Sequence, residues 1–589
     1  MKNWLKHFSR IVGIMGRKRQ VSYQADFETT TDPNDCRVWG WGLADIEKVQ
    51  SPWDVEMGTN IQWFIDRISE ESSTVYFHNL KFDGHFILDY LFRELNFTHV
   101  DKYPGRGQFS TLISSMGAFY TITVCWENGK RTEFRDSLKK LPFSVSTIAK
   151  AFKQTEMKGS IDYHSPRPVG HMLTQEERAY LATDIVIPAK ALKTQFDAGM
   201  TKLTVGSDSL AEFKKVIGQR HFDKMFPVLP LTMDSEIRQA YRGGFTYADP
   251  RFKGKITGPG IVYDVNSLYP SVMYDRLLPC GEPIYTPGLP VATESHPLFI
   301  VSVTFTAKLK KNHIPCIQIR GNSHFLATEY QTHIKDPVTL MCTNVDLALW
   351  EDHYDMNILS YNGGWLFEGV EGLFVEYIDK WMEVKKNSTG GMRALAKLML
   401  NSLYGKFATN PLVTGKVPVF EENVVKLVMG PEETRDPVYT AMGVFITAYA
   451  RDVTIRTAQE HYGVFAYADT DSLHLLIPQD PPTLDVDPQK LGAWKREYAF
   501  EKGLFVRAKA YIEQRFLADV GHGPADCDNE EGHNNCVYVT HIAGLPDRIA
   551  HVLTIDDFIG GRKFEGKLVP KRVPGGIVLE DVDFTMNME

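Results

Sequence analysis

The chain reads as an α/β and α+β multidomain protein, and three observations predict that class. It has 589 residues, 43% of them hydrophobic and 12% aromatic, enough for several cores. Up to about residue 204, strand-like segments of period two alternate with helix-like ones, without a detectable repeat. From Lys255 onward, strands rich in Val, Ile and Tyr lie between Pro/Gly clusters, and two consecutive helices follow. The composition excludes disordered and collagen-like classes.

The elements follow in order. The first 20 residues hold six basic and no acidic side chains, interleaved with Trp4, Leu5, Phe8, Ile11, Val12 and Ile14. Lys6 and Arg10 interrupt any apolar signal core and no small-residue cleavage site follows, which argues against a secretion signal. Two readings stay open: a basic amphipathic arm touching DNA or membrane, and an upstream extension with Met15 as the natural start. Val21 to Glu28 then alternates as a strand, and Thr74 to Phe77 forms a second. Ser110 to Cys125 with Thr132 to Asp136 reads as a β-meander, and Gln175 to Phe196 as a long helix. Gly372 to Phe407 predicts a helix hairpin turning near Asn387 to Gly391. Pro431 to Pro437 reads as a charged turn, and residues 562–572 are basic before Pro574-Gly575-Gly576.

Seven scattered cysteines are an odd count and no disulfide framework, so a reducing compartment is expected. No apolar run approaches the roughly 18 residues of a membrane span, so a soluble protein without a membrane partner is expected. Lys plus Arg number 65 against 73 Asp plus Glu, a net charge of −8. A total says nothing about local fields. Residues 379–410 alone hold six Lys/Arg and two Asp/Glu, whereas the stretch from Asp519 to Glu531 is acidic.

Asp26 and Glu28 stand at i and i+2 on the first strand, so their side chains leave one face and converge. Paired carboxylates repel unless cations neutralise them, and oxygen donors suit Mg²⁺ or Mn²⁺. A lone Asp-x-Glu is usually a solvated strand face, but this one has company. Asp83 follows the second strand in His78-Asn79-Leu80-Lys81-Phe82-Asp83, and Tyr180 and Asp184 share one helix face at i, i+4. Four acids with a tyrosine that orients water fit a two-metal phosphodiesterase centre.

A second set begins at Asp264, which ends the apolar strand Gly260-Ile261-Val262-Tyr263 and precedes Tyr269 and Pro270. Far downstream, Asp469 and Asp471 present another carboxylate pair in Tyr467-Ala468-Asp469-Thr470-Asp471-Ser472. Alone, such a segment is usually an Asx-capped turn. Its companions argue otherwise. Arg393, Lys397 and Asn401 follow i, i+4, i+8 on a helix whose other sides carry Leu395, Leu398, Met399 and Leu403. With Lys385 and Tyr404 nearby, that cationic stripe points to an anionic triphosphate.

These residues resemble a known family. Asp-x-Glu, Asn-x-x-Phe-Asp and Tyr-x-x-x-Asp resemble the three exonuclease motifs of proofreading DNA polymerases. Asp-x-x-Ser-Leu-Tyr-Pro, Lys-Leu-Met-Leu-Asn-Ser-Leu-Tyr-Gly and Tyr-x-Asp-Thr-Asp-Ser resemble the three polymerase motifs of family B. Tyr241-Arg242-Gly243-Gly244-Phe245, Lys509-Ala510-Tyr511 and roughly 100 residues inserted after the first polymerase motif narrow the resemblance. It is to the protein-primed family B DNA polymerases of small tailed phages with protein-capped linear genomes, the phi29 type, from about Tyr23 to the C-terminus.

The resemblance implies an RNase H-like 3′–5′ exonuclease domain and a right-hand polymerase of palm, fingers and thumb. It implies a basic extension over 1–22, the exonuclease over 23–204 and a first palm part over 205–275. An insertion over 276–372 would contact the priming terminal protein. Fingers over 373–408, a second insertion over 409–440, a second palm part over 441–543 and a thumb over 544–589 complete the division. The second insertion would close around the template and give processivity with strand displacement.

By the same resemblance, Asp26, Glu28, Asp83 and Asp184 would bind two metal ions, assisted by Tyr180 and Lys158. Thr29, His78, Asn79, Phe82, Phe86, Ser137, Leu138 and Tyr163 would hold a frayed 3′ end, where base stacking is worth about 1–3 kcal/mol per base. In the polymerase centre Asp264, Asp469, Asp471 and the Val265 carbonyl would hold two Mg²⁺ or Mn²⁺ ions. Tyr269 would reject a 2′-hydroxyl. Lys385, Arg393 and Lys397 would grip the triphosphate, and Asn401 and Tyr404 would line the nascent pair. Tyr241, Gly243, Gly244 and Ser267 would contact DNA, and Lys509 and Tyr511 the primer terminus.

The expected activity is protein-primed, DNA-directed DNA synthesis of a linear viral genome in the host cytoplasm, with 3′–5′ proofreading. Template and primer DNA, deoxynucleoside triphosphates and a terminal protein would be the partners of an otherwise monomeric chain. The alternatives are a family B polymerase primed by nucleic acid or independent of primers, and a degenerate polymerase that only binds DNA. Three departures stand out: Ser160 where relatives often carry an acid, Arg393 for a common lysine, which keeps charge but not geometry, and the extension before Val21, which has no counterpart in the family pattern. His522, Cys527, His533 and Cys536 could together hold zinc, although their spacing matches no standard pattern and a solvated loop is the plainer reading.

Overall fold

Strand β1 (Val21–Thr29), which carries the first carboxylate pair, is the axis of the N-terminal sheet. In the computed structural model, which describes residues 21–154, 159, 161–163, 165–319, 330–520, 536–542, 544–545, 547–550, 553–558 and 563–585, β1 pairs antiparallel with β2 (Val38–Asp45) and parallel with β3 (Ser73–Phe77). All five residues of β3 are buried, as expected of a strand covered on both faces. Helix α1 (Leu80–Arg93) follows, and the chain returns through β4 (Gln108–Ser114), β5 (Phe119–Cys125) and β6 (Arg131–Asp136). These last three form the predicted meander, and β6 closes it parallel to β3. Phe27, Phe64 and Phe77 meet edge to face beneath β1. Helix α2 (Gln175–Asp197) packs on β1 and β2.

After α3 (Val205–Ile217), β7 (Gly260–Val265) runs directly into α4 (Leu268–Asp275). A separate antiparallel sheet follows, made in spatial order of Leu278–Thr286, Tyr354–Val370, Leu298–Leu309 and His333–Thr343. The predicted helix hairpin is α5 (Val375–Asn387) and α6 (Gly391–Phe407), packed on α3. A long hairpin of β8 (Leu412–Glu421) and β9 (Val424–Thr434) comes next. Then α7 (Thr440–Glu460) runs through the largest core and leads to β10 (Phe465–Asp469) and β11 (Ser472–Leu475). With β12 (Trp494–Arg507) and β13 (Ala510–Arg515) they form an antiparallel sheet in which β7 lies between β11 and β12. A last hairpin, β14 (Lys563–Val573) and β15 (Gly576–Thr585), ends the described chain.

One sequence expectation is corrected. Pro431 to Thr434 is strand, not turn: Glu432, Glu433 and Thr434 pair with Thr414, Val413 and Leu412, and Pro431 falls where the register shifts, a place in a ladder that tolerates a missing N–H.

Both hairpins return to the N-terminal sheet. Strand β8 adds to β4 through Gly415 opposite Ser114 and Lys416 opposite Ile113, and Phe420 stacks on Phe92 of α1 with ring centres 5.7 Å apart. The tip of the last hairpin sits on the other part of α1. Gly575 N donates to Asp89 Oδ1 at 3.1 Å, and Arg572 Nε donates to His85 Nε2 at 3.2 Å. Val425, Val573, Ile577 and Val578 belong to the same core as Phe27 and Phe77. Gly575 has φ +97°, and a Cβ there would lie 2.1 Å from the Cys36 carbonyl oxygen, so the turn accepts only glycine.

Residues 1–20, Lys158, Ser160, His522, Cys527 and His533 lie outside the described residues, as does most of the acidic stretch from Asp519. Among the described residues no helix is long and apolar enough to cross a membrane.

Candidate active sites

The first centre forms where β1, α1 and α2 meet. The Phe27 backbone N–H, between Asp26 and Glu28, donates to Asp83 Oδ1 at 3.3 Å. Burial, with the charge of Asp26 and then of Glu28, pushes the Asp83 carboxyl well above its usual range. Tyr180 and Asp184 are both buried on one face of α2. Burial, a hydrogen bond to Tyr163 and the charges of Asp184 and Glu28 raise the Tyr180 phenol, so these two acids act on it while Glu28 also acts on Asp83. Tyr163 and Tyr180 share a hydroxyl–hydroxyl bond of 2.6 Å.

The residues expected to hold a strand lie around this centre with differing exposure. Asp136, at the end of β6, accepts from Asn79 N at 3.1 Å and from Leu138 N at 3.0 Å, which fixes two short segments together. His78 bridges Ser137 Oγ at 3.0 Å and the Phe143 carbonyl at 2.8 Å. Asn79 adopts a left-handed φ of 79°, which turns the chain from β3 into α1. Phe82 is partly exposed, whereas Phe86 is 1% exposed and lies beneath the Gly575–Gly576 turn; it supports Phe82, 5.6 Å away, from below. Ser137 is likewise buried, while Thr29 and Leu138 stay partly open.

The second centre is built where β7 lies beside the β10–β11 turn. Asp264 is opposite Ser472, and Val265 N donates to the Asp471 carbonyl at 2.8 Å. Thr470 takes a left-handed φ of 63°, letting the chain reverse between Asp469 and Asp471. Burial, then the charges of Asp471 and Glu497, push the Asp264 carboxyl up to about 7. Burial also raises Asp471. Lys509 pairs with Asp469, and Thr246 Oγ1 donates to Asp469 Oδ1 at 3.0 Å.

Opposite stands α6. Arg393, Lys397 and Asn401 are exposed along one stripe while Leu395, Met399 and Leu403 are buried, as their spacing predicts. The Lys397 charge acts on both Asp264 and Asp471, so the stripe faces the carboxylates. Lys385 Nζ donates to Ser267 Oγ at 3.1 Å, and Arg393 Nη1 donates to the Lys385 carbonyl at 2.7 Å. Burial, then Arg393 and Lys397, lower the Lys385 ammonium. Tyr269 and Tyr404 stack with ring centres 4.0 Å apart. Tyr241 packs against the same core as these two rings. A Cβ on Gly244 would strike the Thr470 side chain at 2.6 Å, so that loop touches the carboxylate turn.

Sequence reasoning missed three participants. Thr246 follows the Tyr241–Phe245 segment directly and its hydroxyl could have been noticed there. Glu497 and His541 carried no signal: the first acts on Asp264, and the second stacks on Tyr511 with ring centres 5.6 Å apart.

Two acidic centres on two sheets define a polymerase that carries its own nuclease fold. The family model for DNA polymerase type B, organellar and viral, matches residues 65–171 and 157–487. The DNA polymerase of Bacillus phage phi29 is 45% identical over 572 residues, 96% of this chain and 98% of that protein. That of Streptococcus phage Cp-1 is 31% identical over 95% of this chain and 98% of its own length. Among solved structures, phi29 DNA polymerase with primer-template DNA superposes with a TM-score of 0.89 at 44% identity, covering 96% of this chain and all of that one. Its ternary complex with incoming nucleotide gives 0.88 over the same shares. The chain belongs to the organellar and viral type B DNA polymerases and is a DNA-directed DNA polymerase of the phi29 type.

Proposed function

We propose that the chain replicates a linear viral DNA in the host cytoplasm, starting on a terminal protein and proofreading its product with the N-terminal centre. The observation that carries this reading is the presence of two anionic centres, each with its carboxylates gathered beside its own sheet. The carboxylates of each centre, buried or half-buried, repel one another, in keeping with the raised Asp83 and Asp264 groups, and their oxygens suit Mg²⁺ or Mn²⁺. Asp264, Asp469, Asp471 and the Val265 carbonyl would hold two such ions for synthesis; Asp26, Glu28, Asp83 and Asp184 would hold two for excision. When bound, the ions neutralise charge on the attacking and leaving oxygens.

The chain's own groups do the positioning. Lys385, Arg393 and Lys397 bind the triphosphate along α6, Tyr269 closes the sugar pocket with Tyr404, and Asn401 lies beside the new pair. Lys509 and Tyr511 hold the primer end, and Tyr241, Gly243, Gly244 and Ser267 touch DNA. In the other centre Thr29, His78, Asn79, Phe82, Leu138 and Tyr163 hold a frayed strand, with Phe86 and Ser137 as their support and Tyr180 beside the carboxylates; Lys158, outside the described residues, would assist the same centre. Orientation and charge neutralisation then account for most of the rate. The two insertions, 276–372 and 409–440, serve the priming protein and the grip on DNA.

Two measurements test the reading. Asp469→Ala abolishes primer extension and leaves 3′ excision intact, whereas Asp26→Ala does the reverse; loss of both activities from either change, in folded protein, contradicts two separate centres. Initiation with the cognate terminal protein yields a covalent protein–nucleotide product, and efficient synthesis from bare templates alone would sink protein priming.

A further inference from the structure

The N-terminal centre has a support that none of its motifs includes. Tyr163 is 46% exposed, so burial does little to fix the ring whose hydroxyl meets Tyr180. Behind it the guanidinium of Arg167, itself buried, works in three directions. Nη2 donates to the Asp162 carbonyl at 2.9 Å, Nη1 to the Ser165 carbonyl at 3.2 Å, and Nε to Glu177 Oε1 at 2.8 Å. Its plane lies over the Trp39 ring, 4.2 Å from the centre, and its own carbonyl accepts from Arg37. Glu177 is three residues before Tyr180 on α2. The second carboxylate oxygen of Glu177 is taken by Thr174 N at 3.0 Å and His171 Nε2 at 2.7 Å. One buried cation therefore ties the bend that carries Tyr163 to the helical turn that carries Tyr180.

We propose that Arg167 is a positioning residue of the nuclease centre, holding the Asp162–Ser165 bend so that the Tyr163 hydroxyl stays on Tyr180. A lysine cannot replace it: a single ammonium on a flexible stem does not present a rigid planar fork to two carbonyls and a carboxylate at once. The inference rests on the reading of this centre as an exonuclease.

The test measures excision of a single-stranded 3′ end and extension of a primed template on the full chain with Mg²⁺. Arg167→Ala lowers the excision rate on the order of 10- to 100-fold, the scale of a misplaced contact group, and leaves extension at the wild-type rate. Because Arg167 acts through Tyr163, the Arg167→Ala, Tyr163→Ala double variant excises no more slowly than the slower single one. Arg167→Lys, which keeps the charge beside Glu177, serves if the alanine variant fails to fold, and it too loses excision while extending normally. Excision that survives both Arg167 changes while Asp26→Ala abolishes it would overturn the inference alone, as would losses that multiply with the Tyr163 change. A wild-type chain with no 3′ excision would overturn the exonuclease reading, and the inference with it.

Discussion

Glu177 shows how far a single residue here is committed. Burial opposes its ionisation, yet the Thr174 N–H, Arg167 and His171 outweigh that cost and hold the carboxyl down to about 2. Its folded pKa lies below the ordinary 4.5, so its stabilisation is complete above about pH 4.5 and is lost as the pH falls toward 2. Glu177→Gln offers an amide where two donors need an acceptor, which costs about 1–3 kcal/mol at pH 7. Thermal melts at pH 7 and pH 3 check this: the variant melts lower at pH 7, and the gap narrows at pH 3. A gap that widens in acid would contradict the assignment. The sequence made the metal-type carboxylates legible, because Asp26/Glu28 and Asp469/Asp471 share a spacing that chemistry demands. Glu177 and Arg167 were invisible there, since a first-turn glutamate and a loop arginine look alike whether solvated or paired. Phe86 was legible as an aromatic near the site, but not as a buried one, because the hairpin that covers it comes almost 500 residues later.

Among the elements, α1 has the most to do. Its first turn presents Asp83 to the N-terminal acidic centre, while His85 and Asp89 seat the β14–β15 tip and Phe92 receives Phe420 of β8. Strands β9 and β14 also touch, so the two hairpins close on each other across the helix. Gly575→Ala forces a side chain onto the Cys36 carbonyl at a positive φ, a strain of about 1–3 kcal/mol. The tip then lifts: proteolysis within residues 563–585 accelerates and products per binding event shorten, while insertion of a single nucleotide keeps its rate. Unchanged product length with a demonstrably loosened tip would separate the hairpin from DNA retention. The helix hairpin and the meander were readable from periodicity because each buries one face against its neighbours. The strand at Pro431–Thr434 was not, since Pro and clustered charge mimic a turn and only pairing with Leu412–Thr414 overrides them.

For the whole molecule, the net charge of −8 misleads about its partner. Seven of the 73 acids lie in two centres, and the Lys397 charge of α6 acts on one of them. Counterion release from phosphate contacts then makes DNA affinity fall steeply with salt, on the order of a thousandfold between 50 and 200 mM for a handful of contacts. A flat response in a binding titration would contradict this charge map. The return of both hairpins to the first sheet also sets an order of assembly. During synthesis the N-terminal sheet leaves the ribosome first, yet its core is finished by Val425, made much later, and by Val573, Ile577 and Val578, made at the very end. At ordinary translation speeds an apolar face stays open for on the order of half a minute. A chain ending at residue 562 keeps that face open permanently, so its N-terminal half is degraded and aggregates although Asp26, Glu28, Asp83 and Asp184 are all present. The C-terminal residues are thus the last step in folding the N-terminal domain.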